Sequence, residues 1–196
     1  MTASRGMKAF LPDQTRLSQM HLRTARIKRA MGFYSGVLGL AASQEIESEV
    51  VFSGQPKGAS LLVITEDRNA PGRPRRSIGL YHLALRYGTR YGLAGVYRRL
   101  IEAGYPIAGA SDHGVSEAIY LIDPDGNGVE LYADRPRSQW RWQDGQIAMV
   151  TTPLDLDNLL AKRWGQAHLR NRTWDIFISM LLIWALRSDF TASFWG

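Results

Sequence analysis

The stretch Ala118-Ile119-Tyr120-Leu121-Ile122, Asp123-Pro124-Asp125-Gly126-Asn127, Gly128-Val129-Glu130-Leu131-Tyr132 decides how this chain folds. Its Asp-Gly and Asn-Gly pairs signal a tight turn, because glycine takes up the backbone angles of such turns at no steric cost. The short apolar runs on either side read as strands. In the second run Val129 and Leu131 share one face, and Glu130 and Tyr132 share the other. A carboxylate between two core residues is costly if buried without a partner. Glu130 therefore either faces water on a half-buried strand or has a ligand to hold, and the residues alone leave both open.

Working outward, residues 78–87 read as a strand, 91–103 as a helix and 106–109 as a further strand. The same order occurs earlier in the chain. A strand near 16–25 precedes a helix over 27–38, where Ile27, Ala30, Met31, Tyr34 and Leu38 recur at helical spacing and Gly39 ends the run. Extended segments follow near 41–44, 49–52 and 60–64, and a polar, proline-bearing linker covers 66–76. Two successive strand-helix-three-strand units predict an α+β fold of two βαβββ modules. In each, the helix covers one face of the sheet and leaves the other free to line a cleft.

Composition narrows the function. The 196 residues are 45% hydrophobic and 21% charged, as in an ordinary globular protein. The formal charge of +6 raises the question of nucleic acid, but the arginines are scattered and no recognition signature accompanies them, so no nucleic-acid partner is expected. With no cysteine, any metal must rely on oxygen and imidazole ligands. Met1 to Phe10 has no apolar core of signal-peptide length. The apolar run from Trp174 to Leu186 is well short of the roughly twenty residues that span a bilayer. No membrane is expected, and the expected location is cytoplasmic.

The candidate site comes from strand alternation. His82 shares a face with Ala84, opposite Tyr81, Leu83 and Leu85. In the first strand Gln19, His21 and Arg23 lie opposite Met20, Leu22 and Thr24. If each strand packs its apolar face on a helix, Gln19 or His21, His82 and Glu130 all face the concave side. Two imidazoles and a carboxylate there would suit iron(II) or another first-row divalent ion. On the residues alone, a lone histidine in an apolar strand is more often a hydrogen-bonded core residue than a ligand.

Three sequence blocks carry a family resemblance. Phe33-Tyr34-Ser35-Gly36-Val37-Leu38-Gly39-Leu40 resembles the helix-end signature of vicinal-oxygen-chelate (glyoxalase/bleomycin resistance/extradiol dioxygenase) modules. Ser111-Asp112-His113-Gly114-Val115-Ser116-Glu117, running on through Tyr120 and Glu130 to Tyr132, and then Asp134-Arg135-Pro136, are similar to the ring-cleaving branch of that superfamily. The resemblance covers about residues 16 to 160. It implies metal-ligand positions at His82 and Glu130, with the first-strand position falling on Gln19 rather than His21. It also implies that His113 borders substrate as an acid/base or hydrogen-bond donor. The function implied is extradiol cleavage of a small catechol-type aromatic by iron(II) and dioxygen. Two alternatives are a glyoxalase-like lyase or isomerase using Gln19, His82 and Glu130, and a metal-free binder of small aromatics. The ligand set is incomplete for either metalloenzyme, so this chain is expected to supply a supporting half and to hold no iron by itself.

The expected organisation is an extension over 1–14, a domain over 15–140 with modules at about 15–66 and 77–136, a bridge over 141–173 and an aberrant tail over 174–196. Read one nucleotide earlier, the codons of the tail force glycine at the junction of Trp174 and Asp175. They permit a string, G-H-I-H-L-H-V-A-D-L, like the start of a second, ligand-bearing domain in this superfamily. The tail is thus expected to be the frameshifted start of a lost domain. Unpaired module edges and an apolar tail also predict self-association or a homo-oligomer.

Overall fold

The computed structural model describes residues 17–71, 80–161 and 176–179. The expected extension, most of the tail and part of the linker lie outside the described residues. The first module holds β1 (Met20–Thr24), α1 (Ile27–Met31), β2 (Ala41–Ile46), β3 (Glu49–Ser53) and β4 (Ser60–Glu66). The second holds β5 (His82–Tyr87), α2 (Arg90–Glu102), β6 (Gly109–Asp112), β7 (Ser116–Ile122) and β8 (Gly128–Asp134). Each is the predicted βαβββ unit, and both sheets have the first strand parallel to the last: β1-β4-β3-β2 and β5-β8-β7-β6.

The elements form for local reasons. No side chain from its own N-cap residue caps α1, so Glu66 at the end of β4 accepts a hydrogen bond from the Ile27 amide at 3.0 Å. That amide, followed by Arg68, holds the Glu66 carboxyl below its ordinary pKa. The predicted helix over 27–38 is α-helical only to Met31 and continues as a π-helix from Gly32 to Val37. The wider turn carries Phe33 and Tyr34 into the core, and Gly39 ends it at φ +79°. Helix α2 starts from Thr89, whose hydroxyl accepts from the Gly92 amide at 3.1 Å.

One hydrophobic core joins the modules. It includes Phe33, Tyr34 and Leu38 from the first helical segment, Phe52 and Ile64 from the first sheet, and Leu83, Leu93, Ile119 and Leu131 from the second module. Two polar contacts set how the modules meet. The Tyr34 hydroxyl donates to Asp123 Oδ2 at 2.8 Å, buried in the contact. The Arg99 guanidinium caps the end of the first helical segment, donating to Val37 O at 3.1 Å and Leu38 O at 2.5 Å. A side chain at Gly39 would come within 2.8 Å of that guanidinium. Asp123 also organises its own turn. Its Oδ1 accepts from the amides of Asp125 at 2.9 Å and Asn127 at 2.8 Å, and its Oδ2 accepts from the Asn127 side chain at 2.9 Å.

Residues beyond the second module pack onto it. Strand β9 (Trp142–Gln143) and strand β10 (Gln146–Ile147) form a hairpin that pairs Trp142 with Ile147, and the Arg137 guanidinium lies 5.8 and 5.6 Å from the rings of Trp140 and Trp142. Strand β11 (Thr152–Pro153) pairs with β6, and α3 (Leu156–Ala161) sends Leu159 into the core. From the tail, β12 (Ile176–Ser179) pairs antiparallel with the outer edge of β5, giving the sheet order β11-β6-β7-β8-β5-β12. Among the described residues the four-stranded and six-stranded sheets are not hydrogen-bonded to each other, and β12 occupies the outer edge of β5. None of the helices among the described residues is long and apolar enough to cross a membrane.

On the helix side of the second sheet, Glu117 is buried between two arginines. Arg90 Nε donates to it at 2.5 Å and Arg135 Nη2 at 2.8 Å, and Arg135 also reaches Asp112 at 2.6 Å. Burial pushes the Asp112 carboxyl up, but the Gly114 amide and Arg135 outweigh it, and its pKa lies below the ordinary value.

Removing the Asp123 carboxylate strips acceptors from four donors at once. Asp123→Ala is expected to cost on the order of 3 kcal/mol in urea unfolding, and Tyr34→Phe, which loses one of the four bonds, about 1 kcal/mol. For Asp112 the folded pKa is depressed, so its stabilisation is complete above the ordinary carboxylate range and is lost as pH falls through and below about 4. Asp112→Asn should therefore flatten the acid limb of a plot of denaturation midpoint against pH.

Candidate functional site

The free face of the second sheet gathers one polar chain. His82 opens β5 opposite Gly128 on β8, and Ala84 is registered with Glu130. Glycine is required at 128, because a Cβ there would sit 2.8 Å from the Tyr81 carbonyl oxygen and 3.1 Å from the His82 Cβ. The close approach brings His82 Nε2 to 2.8 Å from Glu130 Oε2, with side chains 6% and 14% exposed. The contact is short but off-line, and neither ring nitrogen of His82 makes an aligned hydrogen bond. The Tyr81 ring packs against the imidazole at 4.9 Å between centroids.

Glu130 has a second neighbour. On β7, Tyr120 is registered directly with Glu130 and donates its hydroxyl to Glu130 Oε1 at 3.1 Å. Burial first, and then the Glu130 carboxylate, push the Tyr120 phenol far above its usual pKa, so it acts as a neutral donor. His113 completes the chain with Nε2 at 2.9 Å from the Tyr120 hydroxyl. Its Nδ1 lies 3.1 Å from the Val150 carbonyl oxygen and 3.4 Å from Thr151 Oγ1.

The structure thus brings together His82 and Glu130 and connects His113 to them through Tyr120. Gln19, just before β1, and His21 on it are exposed, and both are bonded to β4 of the first sheet. Gln19 Nε2 donates to Ser60 Oγ at 2.5 Å, and His21 Nε2 lies 2.6 Å from Thr65 Oγ1. Thr65 in turn donates its hydroxyl to Glu49 Oε2 at 3.2 Å.

Tyr120 is the residue that strand alternation alone did not single out. The signal for it was the turn: a tight Asp123-to-Asn127 connection places Tyr120 and Glu130 opposite each other.

An iron(II) centre of the expected kind needs a third donor beside an imidazole and a carboxylate. Among the described residues, no group of three or more histidine, aspartate or glutamate side chains is arranged to hold a metal. The orphaned nitrogens of His82 suit a ligand, but among the described residues the donor set of this face stops at two, and those two alone do not fit an iron centre.

Known proteins agree with this architecture. Residues 16–131 match the family described as the Glyoxalase/Bleomycin resistance protein/Dioxygenase superfamily. The chain is 40% identical over 150 residues to a catechol-2,3-dioxygenase of Bacillus subtilis (strain 168), an alignment covering 76% of this chain and 52% of that protein. It therefore spans about half the length of that relative. It is 26% identical over 179 residues to biphenyl-2,3-diol 1,2-dioxygenase 3 of Rhodococcus globerulus, covering 81% of this chain and 89% of that one. A glyoxalase/dioxygenase structure from Nostoc punctiforme superposes with a TM-score of 0.54 at 19% identity, over 65% of this chain and 97% of the other, a likeness of fold. With its two βαβββ modules and the match across both of them, the chain belongs to the Glyoxalase/Bleomycin resistance protein/Dioxygenase superfamily.

Proposed function

We propose that this chain is the supporting domain of an extradiol-type ring-cleaving dioxygenase and that it binds a small catechol-like aromatic without completing an iron centre. The relationship to the Bacillus catechol-2,3-dioxygenase supports the substrate class. The observation that carries the supporting role is the His82–Glu130 pair, two donors at the expected ligand positions with Gln19 bonded elsewhere. What this face offers is hydrogen-bonding chemistry. Glu130 is an acceptor flanked by a neutral phenol and an imidazole, and neighbouring hydroxyls on an aromatic ring supply the matching donors. The Tyr81 and Tyr120 rings beside His82 supply aromatic contact for such a ligand.

Metal content and oxygen uptake with catechol, on protein purified anaerobically with iron(II), test this reading. The expected outcome is iron well below one equivalent, no catechol-dependent oxygen uptake, and catechol binding that a chelator leaves unchanged. Stoichiometric iron with yellow ring-cleavage product would overturn it. Glu130→Gln keeps the shape of the site and removes its charge. It is expected to weaken catechol binding about tenfold, the ~1.4 kcal/mol of one charge-assisted hydrogen bond, with circular dichroism unchanged.

A further inference from the structure

We infer that the main-chain carbonyl of Val150 fixes His113 as its Nδ1–H tautomer, which turns the Nε2 lone pair toward Tyr120 and makes the Tyr120 hydroxyl a donor shared between His113 and Glu130. The inference rests on the reading of this face as the binding face and adds the direction of the hydrogen bonds across it. The Val150 oxygen, 3.1 Å from His113 Nδ1, can only accept, so that nitrogen carries the hydrogen. Thr151 Oγ1, at 3.4 Å from the same nitrogen, is a hydroxyl and accommodates either arrangement. The described bonds of the Asp112 carboxylate go to the Gly114 amide at 2.8 Å and Arg135 at 2.6 Å, and not to the ring.

A neutral imidazole has one N–H, so Nε2 presents a lone pair to the Tyr120 hydroxyl at 2.9 Å. Tyr120 then has one proton and two acceptors, Nε2 at 2.9 Å and Glu130 Oε1 at 3.1 Å. Rotation of the hydroxyl serves either. Tyr120 is thus a positioning residue, and the segment carrying Val150 belongs to the site. The segment is anchored there by a second bond, from the Val150 amide to the His113 carbonyl at 3.2 Å.

Nitrogen-15 NMR of the His113 ring in the full chain, at about pH 8 where an ordinary imidazole is neutral, reads the tautomer directly. The expected result is the proton on Nδ1, against the Nε2–H form that a solvated imidazole favours; a proton on Nε2 overturns the inference. In Tyr120→Phe the Nδ1–H form should persist, and a switch to Nε2–H would mean that Tyr120, not Val150, sets it.

Two amide variants separate the ends of the ring. The His113→Asn amide nitrogen takes the place of Nδ1 and should keep the 140–150 segment as resistant to trypsin at Arg141 as in the parent. The His113→Gln nitrogen takes the place of Nε2 and should raise the cleavage rate at least about tenfold, the ~1.4 kcal/mol of one lost anchoring bond. Equal rates in the two variants would overturn the inference. All of these readouts use the chain without iron or catechol. Failure of the dioxygenase reading leaves them standing, and their failure leaves the oxygen-uptake result standing.

Discussion

The carboxylate of Asp123 is the contact on which the remaining geometry depends. It fills its acceptor capacity with two backbone amides, a side-chain amide and a phenol from the other module. Three of these bonds close the turn between β7 and β8, and the closed turn sets the register in which Tyr120 faces Glu130. The fourth reaches Tyr34 in the π-helical turn of the first module. One side chain thus fixes both the site's internal register and the docking of the two modules. Because Asp123 is buried, each unmatched lone pair there would carry the full cost of lost solvation.

Two glutamates on opposite faces of the same sheet show how partners decide duty. Glu117 lies on the core side and is held by two guanidinium groups, which tie β7 to α2 and to the residue just past the end of β8. Glu130 lies on the other face, against a neutral phenol and an imidazole. The first carboxylate is spent on structure and the second is left facing uncharged donors, and the sheet keeps the two apart on its opposite faces.

Much of this was legible in the chain. The alternation around Glu130 and His82 correctly placed both on the free face, and the Asp-Pro-Asp-Gly-Asn turn announced its hairpin. The two strand-helix-three-strand runs announced the modules. Strand alternation specifies a face, however, and not the neighbour across the gap. It could place Gln19 and His21 on an exposed face but not reveal that Ser60 and Thr65, more than forty residues away in sequence, would engage them. The π-helical turn was hidden because its apolar spacing over 27–38 matches an ordinary helix until the extra residue is inserted. The bonds from Arg99 to Val37 and Leu38 depend on module docking, which no local pattern encodes.

Strand β12 gives the histidine-bearing strand a neighbour on each side. A sheet's outermost strand is a template on which foreign chains can grow, and β5 would be such a template with its donors and acceptors facing outward. By pairing Ile176 through Ser179 with Tyr87 back to Ala84, the chain turns that strand from a border into an interior one. The carrier of His82 is thereby shielded from intermolecular recruitment by backbone bonds alone, a protection that depends on main-chain pairing and so tolerates wide variation in the sequence that supplies it.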